Sequence, residues 1–95
     1  MTDTEWHELD VVFDDDLHMR PLQELAATAS KFNCQVVVDH GGDTYNAKSL
    51  LDLLFIAHDV NKKNPRLMNF KACGSDAKNA LNALNALRSA AKDFA

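Results

Sequence analysis

Only two cysteines occur in the chain, Cys34 and Cys73, and their spacing fits neither a disulfide framework nor a zinc site. They read as buried, reduced thiols of a cytoplasmic protein. No apolar run approaches the ~20 residues that a membrane-spanning helix needs. The opening MTDTEWHELD is acidic and polar, unlike a secretory signal. Basic residues are outnumbered by acidic ones, 10 to 14, for a formal net charge of −4. With no basic patch or tail, general binding to nucleic acid or to an anionic membrane is not expected. Trp6 and Tyr45 read as packing residues rather than as a base-stacking platform. His7, His40 and His58 are scattered without ligand spacing, so each reads as solvated, and neither metal nor organic cofactor is expected. With three glycines in all, no glycine-rich loop is placed to assist an independent hydrolase.

What is present is enough for a single domain over 1–95, since 95 residues leave no room for a second core. Hydrophobic content of 46% and charged content of 25% are those of an ordinary globular chain. Leu9, Val11 and Phe13 alternate with polar or outward residues, which predicts a half-buried strand ended by the triple aspartate at 14–16. From Pro21 to about Lys31, the set Leu22, Leu25, Ala26 and Ala29 has helical spacing, and proline is tolerated in a first turn. CQVVVDHGGDTYNA predicts a β-hairpin, with a strand over 34–39, a turn at Gly41–Gly42 and a return through Tyr45. SLLDLLFIAHD predicts a short helix with Ser49 as N-cap, and VNKKNPR a polar loop. Met68, Phe70 and Ala72 alternate as a further strand. Ser75 or Asp76 then caps a long final helix striped by Ala80, Leu81, Leu84, Leu87, Ala91 and Phe94; the repeated NALNAL belongs to that stripe. The order β-α-β-β-α-β-α predicts an α+β two-layer domain, an antiparallel sheet with its helices on one face.

The stretch DDDLHMRP joins the first strand to the first helix and carries the most chemistry. A helix that begins near His18 presents N–H groups with no intrahelical partner, and its dipole adds about half a positive charge there. Such an end stabilises phosphate, more so with the Arg20 guanidinium in the same turn. The same field opposes protonation of an imidazole and so favours its nucleophilic neutral form. Nucleophile, anion cradle and counter-charge together are what reversible phosphorylation of a ring nitrogen requires. The plain alternative is that His18 only caps the helix and Arg20 only faces solvent.

LHMRP at 17–21, NAKSLLDLL at 46–54 and ACGSDAKNAL at 72–81 resemble, in order, the motifs of the HPr family. These are the histidine-containing phosphocarriers of the phosphoenolpyruvate-dependent sugar phosphotransferase system. The resemblance runs from about Leu9 to Leu87 and implies an open-faced β-sandwich, four antiparallel strands with three helices on one face. It implies that His18 accepts a phosphoryl group on Nδ1 from enzyme I and passes it to an enzyme IIA domain, with Arg20 steadying the phosphate. Ser49 matches a serine that a dedicated kinase phosphorylates in some members, and its role as a mere N-cap stays open. The family docks its partners, as a monomer, through its first two helices, which would put Met19, Leu50, Leu51, Leu54 and Phe55 at the interface. The helical projection of the second helix, apolar nearly all round, independently predicts an exposed patch among those leucines and Phe55. Phosphate on Ser49 would place about two negative charges at the head of that patch. A regulatory binding module of the same fold, gated at Ser49 and without phosphotransfer, is the reading from another class.

Three departures stand out. Asp16, after Asp14 and Asp15, replaces the family's usual glycine before Leu-His, and carboxylates within ~5 Å would oppose a phosphate and favour a charged His18. The loop HDVNKKNPR is longer than usual and lacks glycine. Leu22 and Gln23 replace small alanines after the proline.

Overall fold

The structure, a computed structural model, describes residues 5–88. Its elements are β1 (Trp6–Phe13), α1 (Met19–Ser30), β2 (Gln35–His40), β3 (Asp43–Asn46), α2 (Leu50–Asn61), β4 (Arg66–Cys73) and α3 (Ala77–Asn85). This is the predicted β-α-β-β-α-β-α order. The strands form one antiparallel sheet in the spatial order β1-β4-β2-β3. β4 therefore lies inside the sheet, with Trp6–Phe13 paired along its whole length on one side and β2 on the other. Gly41 and Gly42, at φ +59 and +86, make the two-residue turn between β2 and β3, the geometry that suits the twist of a tight hairpin. Gly74, at φ +135, ends β4 where an added Cβ would stand 2.8 Å from the Cys34 Cβ.

Strand alternation puts Val11, Phe13, Val36, Val38, Met68, Phe70 and Ala72 on the helix side, all buried. α1 meets them with Leu22, Leu25, Ala26 and Ala29, α2 with Leu53, Ile56, Ala57 and Val60, and α3 with Ala77, Ala80, Leu81 and Leu84. Each fully buried leucine, isoleucine or phenylalanine contributes about 1.5–3 kcal/mol, so this layer outweighs any surface contact described below.

Several expectations need correction. α2 does not stop at Asp59 but runs to Asn61, because Val60, wholly buried, completes the stripe Leu53, Ile56, Ala57, Val60. β2 starts at Gln35 rather than Cys34. The final helix ends at Asn85, and Leu87 follows it in a half-buried turn; Ala91 and Phe94 lie outside the described residues. Asp76 is the N-cap residue of α3, but its carboxylate accepts from the Asn33 N–H instead of capping. Cys34 and Cys73 form no disulfide and are half-buried rather than buried, at one end of the sheet. Burial holds the Cys34 thiol above its ordinary pKa, against the pull of Lys48. Trp6 is exposed because it shares the outward phase of β1 with Glu8, Asp10 and Val12.

The outward face of the sheet is cross-linked by polar groups. The Asn69 amide donates to the Asp10 carboxylate at 2.7 Å across a β1–β4 pair. Lys71 lies 2.6 Å from the Asp39 carboxylate and 3.9 Å from that of Glu8, tying three strands together. Lys71 first, and then the Thr44 hydroxyl, hold the Asp39 carboxyl below the usual carboxylate range, and Asp39 raises the Lys71 pKa in return. A depressed carboxyl contributes stability above its unfolded pKa of about 4, lost as pH falls through the folded value. The raised lysine contributes below its unfolded pKa of about 10.5 and loses that contribution at higher pH. Urea midpoints measured from roughly pH 6 down to pH 2.5 should therefore fall less steeply for Asp39→Asn than for the wild type. Parallel acid limbs would show that the Asp39–Lys71 pair does not carry the acid sensitivity.

Candidate functional site

His18 is the N-cap residue of α1, with extended backbone at φ −90 and ψ −176. Its carbonyl accepts the first helical bond, from the Leu22 N–H at 3.3 Å. Its side chain makes no capping hydrogen bond and is exposed. An imidazole in this position is committed to no local structural task, which removes capping as its reason for being there. Pro21 has no N–H and that of Leu22 is already used, so the amides at the helix mouth are those of Met19 and Arg20. Both side chains are exposed, Met19 by 49%. The helix is fixed in this attitude by its flank, where Pro21, Leu22 and Leu25 are buried.

The approach to His18 is held just as firmly. The Leu17 side chain is buried, and its backbone is gripped from both sides by Asn61 at the end of α2. Asn61 Oδ1 accepts from the Leu17 N–H at 2.7 Å and Nδ2 donates to the Leu17 carbonyl at 3.0 Å. One turn of chain earlier, the Arg66 guanidinium donates through Nη2 to the Asp14 carbonyl and lies through Nη1 3.6 Å from the Asp16 carboxylate. The acidic triplet thus gains a counter-charge from β4, outside its own stretch of sequence. Asp16 is drawn toward β4, where Arg66 opposes the repulsion expected between that carboxylate and a phosphate at the helix mouth. Neither Asn61 nor Arg66 is singled out by sequence reasoning, since the contacts span 44 and 52 residues; an asparagine and an arginine in a polar loop carry no local signal.

α2 packs beside α1 and presents the second part of the candidate surface. Leu51 and Phe55, one turn apart, are 78% and 72% exposed, whereas Leu50 and Leu54 are half-buried against the core. The predicted patch is therefore Leu51 and Phe55, with the other two leucines as its base. Tyr45 supports the Phe55 ring at a centroid distance of 5.8 Å. Ser49 is the N-cap of α2, its Oγ accepting from the Asp52 N–H at 3.3 Å, while the Asp52 carboxylate accepts from the Asn46 N–H at 2.9 Å. Ser49 and Asn61 stand at opposite ends of α2, about 18 Å apart along the helix axis. That is roughly two Debye lengths in physiological salt, so charge added at Ser49 reaches the Leu51–Phe55 patch far more strongly than it reaches the far end of α2.

His40 is not solvated as expected. It shares the inward phase of Val36 and Val38, and its Nε2 lies 3.0 Å from an Asp59 carboxylate oxygen. The contact ties the β2–β3 hairpin to α2 and holds the Asp59 carboxyl below its ordinary range. Among the described residues, no three His, Cys, Asp or Glu gather as a metal-binding group, and no helix is long and apolar enough to cross a membrane.

Residues 7–90 match the family of the PTS HPr component phosphorylation site. Among solved structures, the chain is similar to a phosphocarrier protein HPr from Bacillus anthracis str. Ames, with 27% identity and a TM-score of 0.72 over 86% of this chain and 95% of that one. It is similar to a Mycoplasma histidine-containing phosphocarrier protein, with 25% identity and a TM-score of 0.69 over 85% and 90% of the two chains. It is also similar to Crh, the catabolite repression HPr of Bacillus subtilis, with 25% identity and a TM-score of 0.65 over 90% and 96%.

The Arg66 contacts are testable by themselves. Arg66→Ala should lower unfolding stability by about 1 kcal/mol, since the ion pair to the exposed Asp16 is worth little and the charged bond to the Asp14 carbonyl more. Arg66→Lys, lacking the fork, should recover only part of it. Urea unfolding of the three proteins decides, and indistinguishable curves would remove Arg66 as the anchor of this segment.

Proposed function

The chain belongs to the HPr family, and on that premise we propose that it is a phosphocarrier working through His18. The Nδ1 lone pair of His18 attacks the phosphorus carried by enzyme I, an N–P bond forms, and the bond from phosphorus to the donor breaks with its electrons staying on the donor. An enzyme IIA domain then takes the phosphoryl group by the same step in the other direction. Arg20 and the amides at the mouth of α1 meet the phosphate charge, and no metal or organic cofactor takes part. Enzyme I and the acceptor dock on Met19 and on the Leu51–Phe55 surface, and the carrier acts as a cytoplasmic monomer without nucleic-acid or membrane partners. The observation that carries this reading is the exposed N-cap imidazole that does no capping, placed within the family motif LHMRP.

The second reading is a regulatory module of the same fold, favoured by the similarity to Crh and by Ser49 standing at the head of the exposed patch. Here a serine kinase and a phosphorylase act at Ser49, and its phosphate blocks or creates docking at Leu51 and Phe55 without any traffic through His18.

Incubation with enzyme I and radiolabelled phosphoenolpyruvate should yield an acid-labile, base-stable label on the wild type and none on His18→Ala. Absence of label with every enzyme I tried, together with partner binding that survives His18→Ala but not Ser49→Asp, would reject the carrier in favour of the module.

A further inference from the structure

The two peptide units that flank His18 are both fixed, by different parts of the chain. The unit after it is held by the bond from the Leu22 N–H to the His18 carbonyl. The unit before it ends in the Leu17 carbonyl, which accepts from Asn61 Nδ2 at 3.0 Å, while the Leu17 N–H donates to Asn61 Oδ1 at 2.7 Å. With the Leu17 side chain buried as well, the backbone on both sides of His18 is hydrogen-bonded in place, and the ring is aimed by its two side-chain torsions. We propose that Asn61 is a positioning residue for phosphotransfer, setting the aim of the His18 ring through the backbone of Leu17.

The inference rests on the phosphocarrier reading and extends it in two ways. First, Asn61 engages both backbone polar groups of Leu17, the residue next to His18, so neither is left to turn toward another partner. Second, Asn61 belongs to the helix that exposes Leu51 and Phe55. A partner seated on that helix is therefore registered against the His18 backbone through one side chain. Geometry of this kind is worth much in rate, since a misplacement of about 1 Å at a reacting centre costs on the order of 100-fold.

The test uses the full chain with Asn61→Asp and Asn61→Ala. The aspartate is of the same size and keeps the acceptor for the Leu17 N–H, but it replaces the donor to the Leu17 carbonyl with a repelling oxygen. Each protein is phosphorylated chemically with phosphoramidate, without any enzyme I, and loss of phosphate from His18 is followed on the assigned ring signals by NMR. Enzyme I-dependent labelling is measured separately, and circular dichroism checks the fold. Asn61→Asp should hydrolyse its phosphohistidine several-fold faster than the wild type. It should also show kcat for labelling lowered about tenfold, with KM within roughly twofold because the docking patch is intact. Leu51→Ala should do the reverse, raising KM with little change in kcat. Folded Asn61 variants that match the wild type in both hydrolysis and kcat, and lose only thermal stability, would overturn the proposal and leave Asn61 a structural clamp. If Asn61→Ala does not fold, Asn61→Asp decides. If enzyme I leaves the wild type unlabelled, the phosphocarrier reading falls, while the hydrolysis comparison still judges what Asn61 does for the ring.

Discussion

A helix whose flank is buried and whose first amides stay open to solvent is the constraint on which the rest of this structure depends. Burial of Pro21, Leu22, Leu25, Ala26 and Ala29 fixes where α1 lies. The dipole and the amide directions at its mouth follow from that placement. His18 stands just outside the helix, with extended backbone, an exposed ring and no capping bond. The sheet below contributes only a floor, with Val11, Phe13, Met68 and Phe70 filling the inward positions against which the helices settle. The strongest forces in the molecule are thus spent on orientation, and they leave the His18 side chain exposed.

Two of the three departures from the family motifs are joined by the structure. Asp16 stands where glycine is usual, and the connection from α2 to β4 is longer. That connection runs between Asn61, the last residue of α2, and Arg66, the first of β4, and these two residues hold the Leu17 backbone and the Asp14–Asp16 segment respectively. What reads as an electrostatic liability in the local sequence is offset by a cation from 50 residues further on. The partial exposure of both groups keeps that offset modest. A segment that glycine would leave loose is instead fastened at several points.

The reach of sequence reasoning follows the range of the interactions. Strand alternation and helical stripes depend on neighbours within a few residues, so the seven elements and the open-faced sheet were legible, as were the Ser49 cap and the placing of His18 at a helix start. Reading Trp6 as a packing residue overlooks its phase with Glu8 and Asp10, which puts it on the outward face. Reading His40 as solvated overlooks the opposite phase, which it shares with Val36 and Val38 and which carries it inward to Asp59. The end of α2 was set too early because Val60 sits in a polar stretch, and only the burial of its side chain shows which element it serves. Asn61 and Arg66 lay beyond such reasoning: a hydrogen bond across 44 residues leaves no period or spacing to read.

The most direct measurement is the location of the phosphoryl group. After reaction with enzyme I and phosphoenolpyruvate, a phosphorus–proton correlation spectrum on the intact chain should show one new phosphorus signal coupled to the ring of His18 through Nδ1. A phosphoryl group found on His7, His40, His58 or Ser49 instead, or no new signal at all, would contradict the account at its base.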